Sequence, residues 1–113
     1  MAKIEKRYPL SLSDEYLDRV IDSIVGAVDT EQIYVFGSYA RGEETPASDL
    51  DLYVVTDDDR GRFKCMDDIA WALMWMDMPK DVLANTVEEF NTRRKTLSAV
   101  ESMVDREGVL LYG

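Results

Sequence analysis

From Asp49 to Val55 the chain alternates without a break: Asp49, Asp51, Tyr53 and Val55 fall on one side, Leu50, Leu52 and Val54 on the other. A period of two is the mark of a β-strand, and a chain with such a strand needs a sheet to hold it. The neighbouring segments say what kind. From Ser13 the residues Leu17, Val20, Ile21, Ile24, Val25 and Val28 step by three and four, which predicts an amphipathic helix. Ser13 suits its N-cap, and Asp14 and Glu15 suit the positive end of its dipole. Gln32 to Phe36 is a short β-prone run stopped by Gly37; residues 38 to 42 read as a helical turn, and Gly42 to Ser48, with Pro46 inside it, as a loop. Cys65 to Met76 has the length and composition of a helix, and Asp81 to Thr86 reads as another short strand after Pro79. Thr86 to Arg94 and Thr96 to Glu107 follow as helices, the second with Leu97, Val100 and Val104 on one face and Gly108 as its cap. Val109 to Tyr112 closes the chain as a strand. Strands alternating with helices through short connections predict an α/β (α+β) architecture with some antiparallel pairing, and residues 1–113 read as a single domain.

Composition narrows the function. With 46% apolar residues the chain can bury a modest core. Its 23 acidic residues against 13 basic ones give a formal charge of −10, a field that repels nucleic acid and anionic membrane. No direct nucleic-acid partner is expected. Histidine is absent, which excludes Ser-His-Asp and Cys-His nucleophile systems and His-ligated zinc or haem. The one cysteine, Cys65, forms no internal disulfide and fits a reducing compartment. No apolar run approaches a membrane span, and the opening MAKIEKRYPL lacks the apolar stretch of a signal peptide, so a cytoplasmic location is expected.

The segment Gly37-Ser38-Tyr39-Ala40-Arg41-Gly42 and the later Ser48-Asp49-Leu50-Asp51-Leu52 carry the chemistry. A strand that ends at Gly37 and turns into a helix at Ser38 exposes backbone N–H groups where an anion is favoured. Gly37 lets a phosphate approach the backbone, Ser38 adds a hydroxyl donor and Arg41 a charge. Ten residues separate Ser38 from Asp49, and Asp49 and Asp51 place two carboxylates on one face of one strand. Asp has poor β propensity, and two such neighbours repel, unless a hard divalent cation such as Mg²⁺ or Mn²⁺ lies between them. Asp81 is either a third carboxylate on the adjoining strand or a solvated turn residue. An anion cradle beside clustered carboxylates is what phosphoryl or nucleotidyl transfer requires.

Written out as GSYARGEETPASDLDLYVV, this stretch closely resembles the signature of the minimal nucleotidyltransferases of the DNA polymerase beta superfamily. Among these the chain is similar to the small antitoxins paired with HEPN-domain toxins, in the order of its elements as well as in its ending Glu107-Gly108-Val109-Leu110-Leu111-Tyr112. The resemblance implies a polymerase beta-like fold, a small mixed sheet flanked by helices. It implies that Gly37 and Ser38 hold the β- and γ-phosphates of a nucleoside triphosphate, ATP foremost, with Arg41 in support. It implies that Asp49 and Asp51 coordinate two Mg²⁺ ions, with Mn²⁺ as the alternative, and that Asp81 completes the metal site and helps deprotonate an acceptor hydroxyl. The activity implied is that of an antitoxin that adenylylates a HEPN ribonuclease toxin, at a tyrosine. Two alternatives stand beside it: neutralisation of the toxin by occlusion alone, and nucleotidylation of a small molecule such as an antibiotic with help from a companion acceptor-binding subunit.

Other features are assigned less chemistry. Met66, Ile69, Ala70, Leu73 and Met76 form one helical face, while Trp71, Met74, Trp75 and Met78 lie largely off it. Either both faces are buried within the domain, or a Trp/Met patch is covered by a partner or a second copy; the family's pairing with HEPN proteins favours the partner. Asp57-Asp58-Asp59 reads as a solvated turn, Lys64, Lys80 and Arg93-Arg94-Lys95 as surface charge, and Tyr39 as a residue bordering the nucleotide.

Overall fold

The computed structural model describes residues 6–113. Helix α1 (Asp14–Ala27) starts where expected: the Ser13 side chain accepts a hydrogen bond from the Tyr16 N–H. Leu17, Val20, Ile21 and Ile24 are buried along it, whereas Val25 is 39% exposed and lies off the buried stripe. Strand β1 (Thr30–Phe36) ends at Gly37 and gives way to the short helix α2 (Ser38–Arg41). After the loop come β2 (Leu50–Thr56), α3 (Arg62–Ala72), β3 (Lys80–Thr86), α4 (Val87–Arg93), α5 (Val100–Glu107) and β4 (Val109–Tyr112). Thr86 caps α4 by accepting from the Glu89 N–H.

The four strands form one mixed sheet in the order β3-β2-β1-β4. β1 pairs antiparallel with β2 and β4, and β2 pairs parallel with β3. The alternation along β2 sorts its side chains between two layers. Leu50, Leu52 and Val54 join the core under α1 and α3, with Ile33, Val35, Ile24 and Ile69. Tyr53 and Val55 join a smaller cluster under α4 and α5, with Phe36, Phe90 and Val104. Both faces are therefore covered, and the acidic start of β2 emerges beyond the second layer.

Three sequence-based expectations need correcting. The helix expected from Thr96 begins only at Val100, because Ala99 is extended (φ −81°, ψ 146°), and Leu97 stands 81% exposed ahead of it. The two tryptophans divide: Trp75 donates from Nε1 to Ser23 Oγ at 2.9 Å with Arg19 stacked 3.9 Å over its ring, while Trp71 is 75% exposed. The third is Asp58, which is not solvated. Only 8% exposed, its carboxylate accepts from the Asp29 N–H and from the Arg60 N–H and Nε. It joins the end of α1 to the turn after β2.

Those bonds, that to Arg60 first, pull the Asp58 pKa down to about 2. A carboxylate with a lowered folded pKa stabilises the fold at pH above its ordinary range and loses that contribution as acid protonates it. Asp58→Asn is expected to lower stability at pH 7, with the gap to wild type closing between about pH 4 and pH 2. Urea melts across that range check it. A gap unchanged at pH 2 would contradict the assignment.

Among the described residues no helix is long and apolar enough to cross a membrane.

Candidate active site

Gly37 sits at a junction that only glycine fills well. Its backbone is at φ 75°, ψ −150°, a region costing other residues about 1–3 kcal/mol. A Cβ placed there would also collide with the Asp51 carboxylate. The cradle and the first acid-bearing strand are thus in direct contact, as the pairing of Phe36 with Asp51 requires. Gly37→Ala is expected to cost about 1–3 kcal/mol by strain alone and to displace Asp51; thermal melts with nucleotide titrations check both effects.

The parallel register sets Asp51 opposite Asp81. Both residues share a face with Tyr53 and Leu83 of the second layer, by the period of two. Adjacent strands lie about 4.8 Å apart, so the two carboxylates leave the sheet as neighbours. The Leu50 N–H donates to the Pro79 carbonyl at 2.9 Å and fixes the two strand starts together. Asp49, one residue before β2, is exposed at the same end. Burial holds the Asp51 pKa above the usual carboxylate range, the charges of Asp81 and Asp49 push it further up, and Arg41 opposes them. Asp51 therefore lies within the field of both other acids.

The remaining site candidates are placed as follows. Ser38 opens α2 half-buried, and the first N–H groups of such a turn have no partner within the helix. Arg41, at the other end of α2, pairs with Glu43 at 3.4 Å and Glu107 at 3.5 Å. Tyr39 packs against the core under α1. Lys64 pairs with Asp68, and Arg94 with Asp105.

Sequence reasoning missed Glu101. It is 3% exposed, accepts from the Tyr53 O–H at 2.6 Å, and meets Arg93 Nε at 3.1 Å. In the sequence it looks like an ordinary first-turn helix acid; nothing local marks it as buried.

The family model described as nucleotidyltransferase domain matches residues 17–107, nearly the whole chain. The chain belongs to that family. No curated protein matches by sequence. Solved structures show the same fold for this nucleotidyltransferase. A toxin–antitoxin crystal structure with AMP-PNP matches with TM-score 0.58 and 24% identity over 86% of this chain and 73% of that one. The toxin–antitoxin MntA-HepT structure matches at 0.53 and 21%, over 89% and 73%. A structure described as a nucleotidyltransferase from Sulfolobus solfataricus matches at 0.53 and 21%, over 68% and 70%.

Nucleotidyltransferases generally use divalent metal ions. The donors brought together here, three carboxylates on one end of the sheet with Asp51 under repulsion from the other two, are of the hard oxygen type such ions take. Among the described residues no three His, Cys, Asp or Glu side chains stand close enough to hold an ion as they are. The fit lies in donor chemistry and placement, not in a ligand cage already drawn tight.

Proposed function

We propose that this nucleotidyltransferase transfers AMP from ATP to a hydroxyl of a partner protein, and that the partner is a HEPN-domain ribonuclease toxin which adenylylation silences. The observation that carries the proposal is the register of Asp51 against Asp81 beside a glycine whose Cβ position is taken by the Asp51 carboxylate. An AMP-PNP complex among toxin–antitoxin structures of the same fold supports the choice of nucleotide and partner.

In this reading the N–H groups after Gly37 and the Ser38 hydroxyl hold the β- and γ-phosphates. Arg41 supports the same phosphates, exchanging its carboxylate partners for them. Asp49, Asp51 and Asp81 would hold Mg²⁺, which when bound neutralises charge on the reacting phosphate oxygens. Asp81 accepts the proton of the acceptor hydroxyl. The hydroxyl oxygen forms a bond to the α-phosphorus, the bond from that phosphorus to the β-bridging oxygen breaks, and pyrophosphate leaves with its electron pair. The phosphate added to the toxin brings negative charge into a region that must bind RNA, and repels it.

The test mixes the protein with a HEPN-domain ribonuclease toxin, ATP and Mg²⁺, and reads the partner's intact mass. One AMP unit gained with wild type and none with Asp49→Ala plus Asp51→Ala is the expected result. A mass gain that survives the double substitution contradicts the site. Neutralisation of the toxin without a mass gain would favour occlusion, the reading that exposed Trp71 and Met74 keep alive.

A further inference from the structure

The end of α5 lies beside the turn at Gly37. β4 pairs antiparallel with β1, with Val109 opposite Val35, so the chain enters β4 next to the end of β1, where Gly37 leads into α2. The bend between α5 and β4 is tightly packed. The Gly108 N–H donates to the Val104 carbonyl at 2.8 Å, and a Cβ on Gly108 would collide with that same oxygen. Glu107, the residue before the bend, is thereby held close to α2. On the other side of β1, Phe36 pairs with Asp51. The turn therefore has Asp51 on one flank and Glu107 on the other.

Arg41 is linked to both acids. Its backbone N–H donates to the Gly37 carbonyl at 3.2 Å. Its guanidinium reaches Glu107 at 3.5 Å and Glu43 at 3.4 Å, and its charge lowers the pKa of Asp51 against the pull of burial. Both ion pairs are long, since charge-assisted bonds run at about 2.7–2.9 Å; the pair of Arg60 with Asp58, at 2.7 Å, shows the tight form in the same molecule. Loose pairs open to water contribute little to stability and exchange readily. Two carboxylates thus share one guanidinium without holding it firmly.

We propose that Glu107 is a positioning residue that sets nucleotide affinity by competing with the triphosphate for Arg41. This rests on the reading that Arg41 supports the phosphates. A guanidinium has N–H donors only, so carboxylate and phosphate oxygens compete for the same hydrogens. When the triphosphate takes Arg41 over, Glu107 and Glu43 return to water. Arg41 is free for phosphate only part of the time, and the apparent affinity is lowered by that fraction. Glu107 is the more effective competitor of the two, because the α5–β4 bend fixes it in place while Glu43 lies in the loop after α2.

Titration calorimetry with ATP and Mn²⁺ tests this, at about 0.15 M salt so that charges beyond about 8 Å are screened. Glu107→Gln is expected to bind ATP about two- to fivefold more tightly than wild type, the worth of one exposed ion pair. Inorganic tripolyphosphate should gain by the same factor. A contact that merely held the fold together would give weaker binding instead. Glu44→Gln is the control for lost negative charge: Glu44 sits in the same loop but accepts from Ser11 Oγ, not from Arg41, and the variant should bind as wild type does. In an Arg41→Gln background, itself weaker for ATP, the gain from Glu107→Gln should fall by at least about half. A full gain in that background, an equal gain with Glu44→Gln, or unchanged or weaker binding by Glu107→Gln overturns the proposal. The readout is binding, so a protein that shows this pattern yet transfers no AMP contradicts the transfer reading alone. Arg41→Gln binding ATP as tightly as wild type contradicts the assignment of Arg41 and overturns the proposal with it.

Discussion

Asp51→Asn is expected to stop nucleotidyl transfer and, at the same time, to make the protein melt at a higher temperature. Asp51 is half-buried, faces Asp81 across the parallel ladder, and feels Asp49 from two residues back. Burial and both neighbours disfavour its negative charge. Asparagine keeps the shape and removes the repulsion, a gain of about 0.5–1 kcal/mol, or several degrees in a chain of this size. Loss of a carboxylate that holds a reacting metal costs about a thousandfold in rate, some 4 kcal/mol. Millimolar Mn²⁺ should then raise the melting temperature of wild type and leave the variant unmoved, since a ligand stabilises only the form that binds it. Label-transfer rates with melts in the absence and presence of Mn²⁺ check all three effects. A variant less stable than wild type without metal would show that the acids are not in mutual conflict.

The second large effect concerns the layer behind the acids. Glu101→Ala removes the acceptor of the fully buried Tyr53 hydroxyl and the partner of Arg93 together. Burial raises the Tyr53 pKa, and the bond to Glu101 raises it further. Burial by itself would raise Glu101 as well, yet the bonds from Tyr53, a backbone N–H and Arg93 outweigh it and hold its pKa low. The carboxylate is therefore ionised and accepts the phenolic proton. Its contribution is present above the ordinary carboxylate range and fades as acid protonates it. Stranding the Tyr53 hydroxyl and leaving a void should cost about 3 kcal/mol and lower the melting temperature by about 10–15 °C. Glu101→Gln keeps an acceptor for Tyr53 and loses only the charge opposite Arg93, so about 1 kcal/mol is expected. Thermal melts of both variants distinguish the two cases. Equal losses would mean that charge, not the Tyr53 bond, holds this layer.

Local chemistry explains which parts of the molecule could be read from its sequence. The Ser13 cap, the stripe of α1, the stop at Gly37 and the period of β2 are each written within a few residues, and each is found in place. The mixed sheet flanked by helices follows from their order. What required the third dimension is the meeting of Asp51 with Asp81, which depends on β3 pairing parallel to β2 in one register out of several. Arg41 finds Glu107 across 66 positions of sequence, and Glu101 finds Tyr53 across 48; no window of sequence contains either pair. Asp58 was hidden for another reason. Three consecutive aspartates look equivalent in the sequence, and only the return of the chain past Asp29 selects the middle one for burial. Leu97 misled because its spacing from Val100 and Val104 suits a helix that the extended Ala99 interrupts.

The most direct measurement is calorimetric titration of ATP into the protein with Mn²⁺ and with chelator, for wild type and for Asp49→Ala plus Asp51→Ala. If one site joins the Gly37–Ser38 turn to the acids, wild type binds ATP tightly only with Mn²⁺, and the double variant shows no gain from the ion. Nucleotide binding of equal strength in both proteins, with the same response to Mn²⁺, would contradict the account.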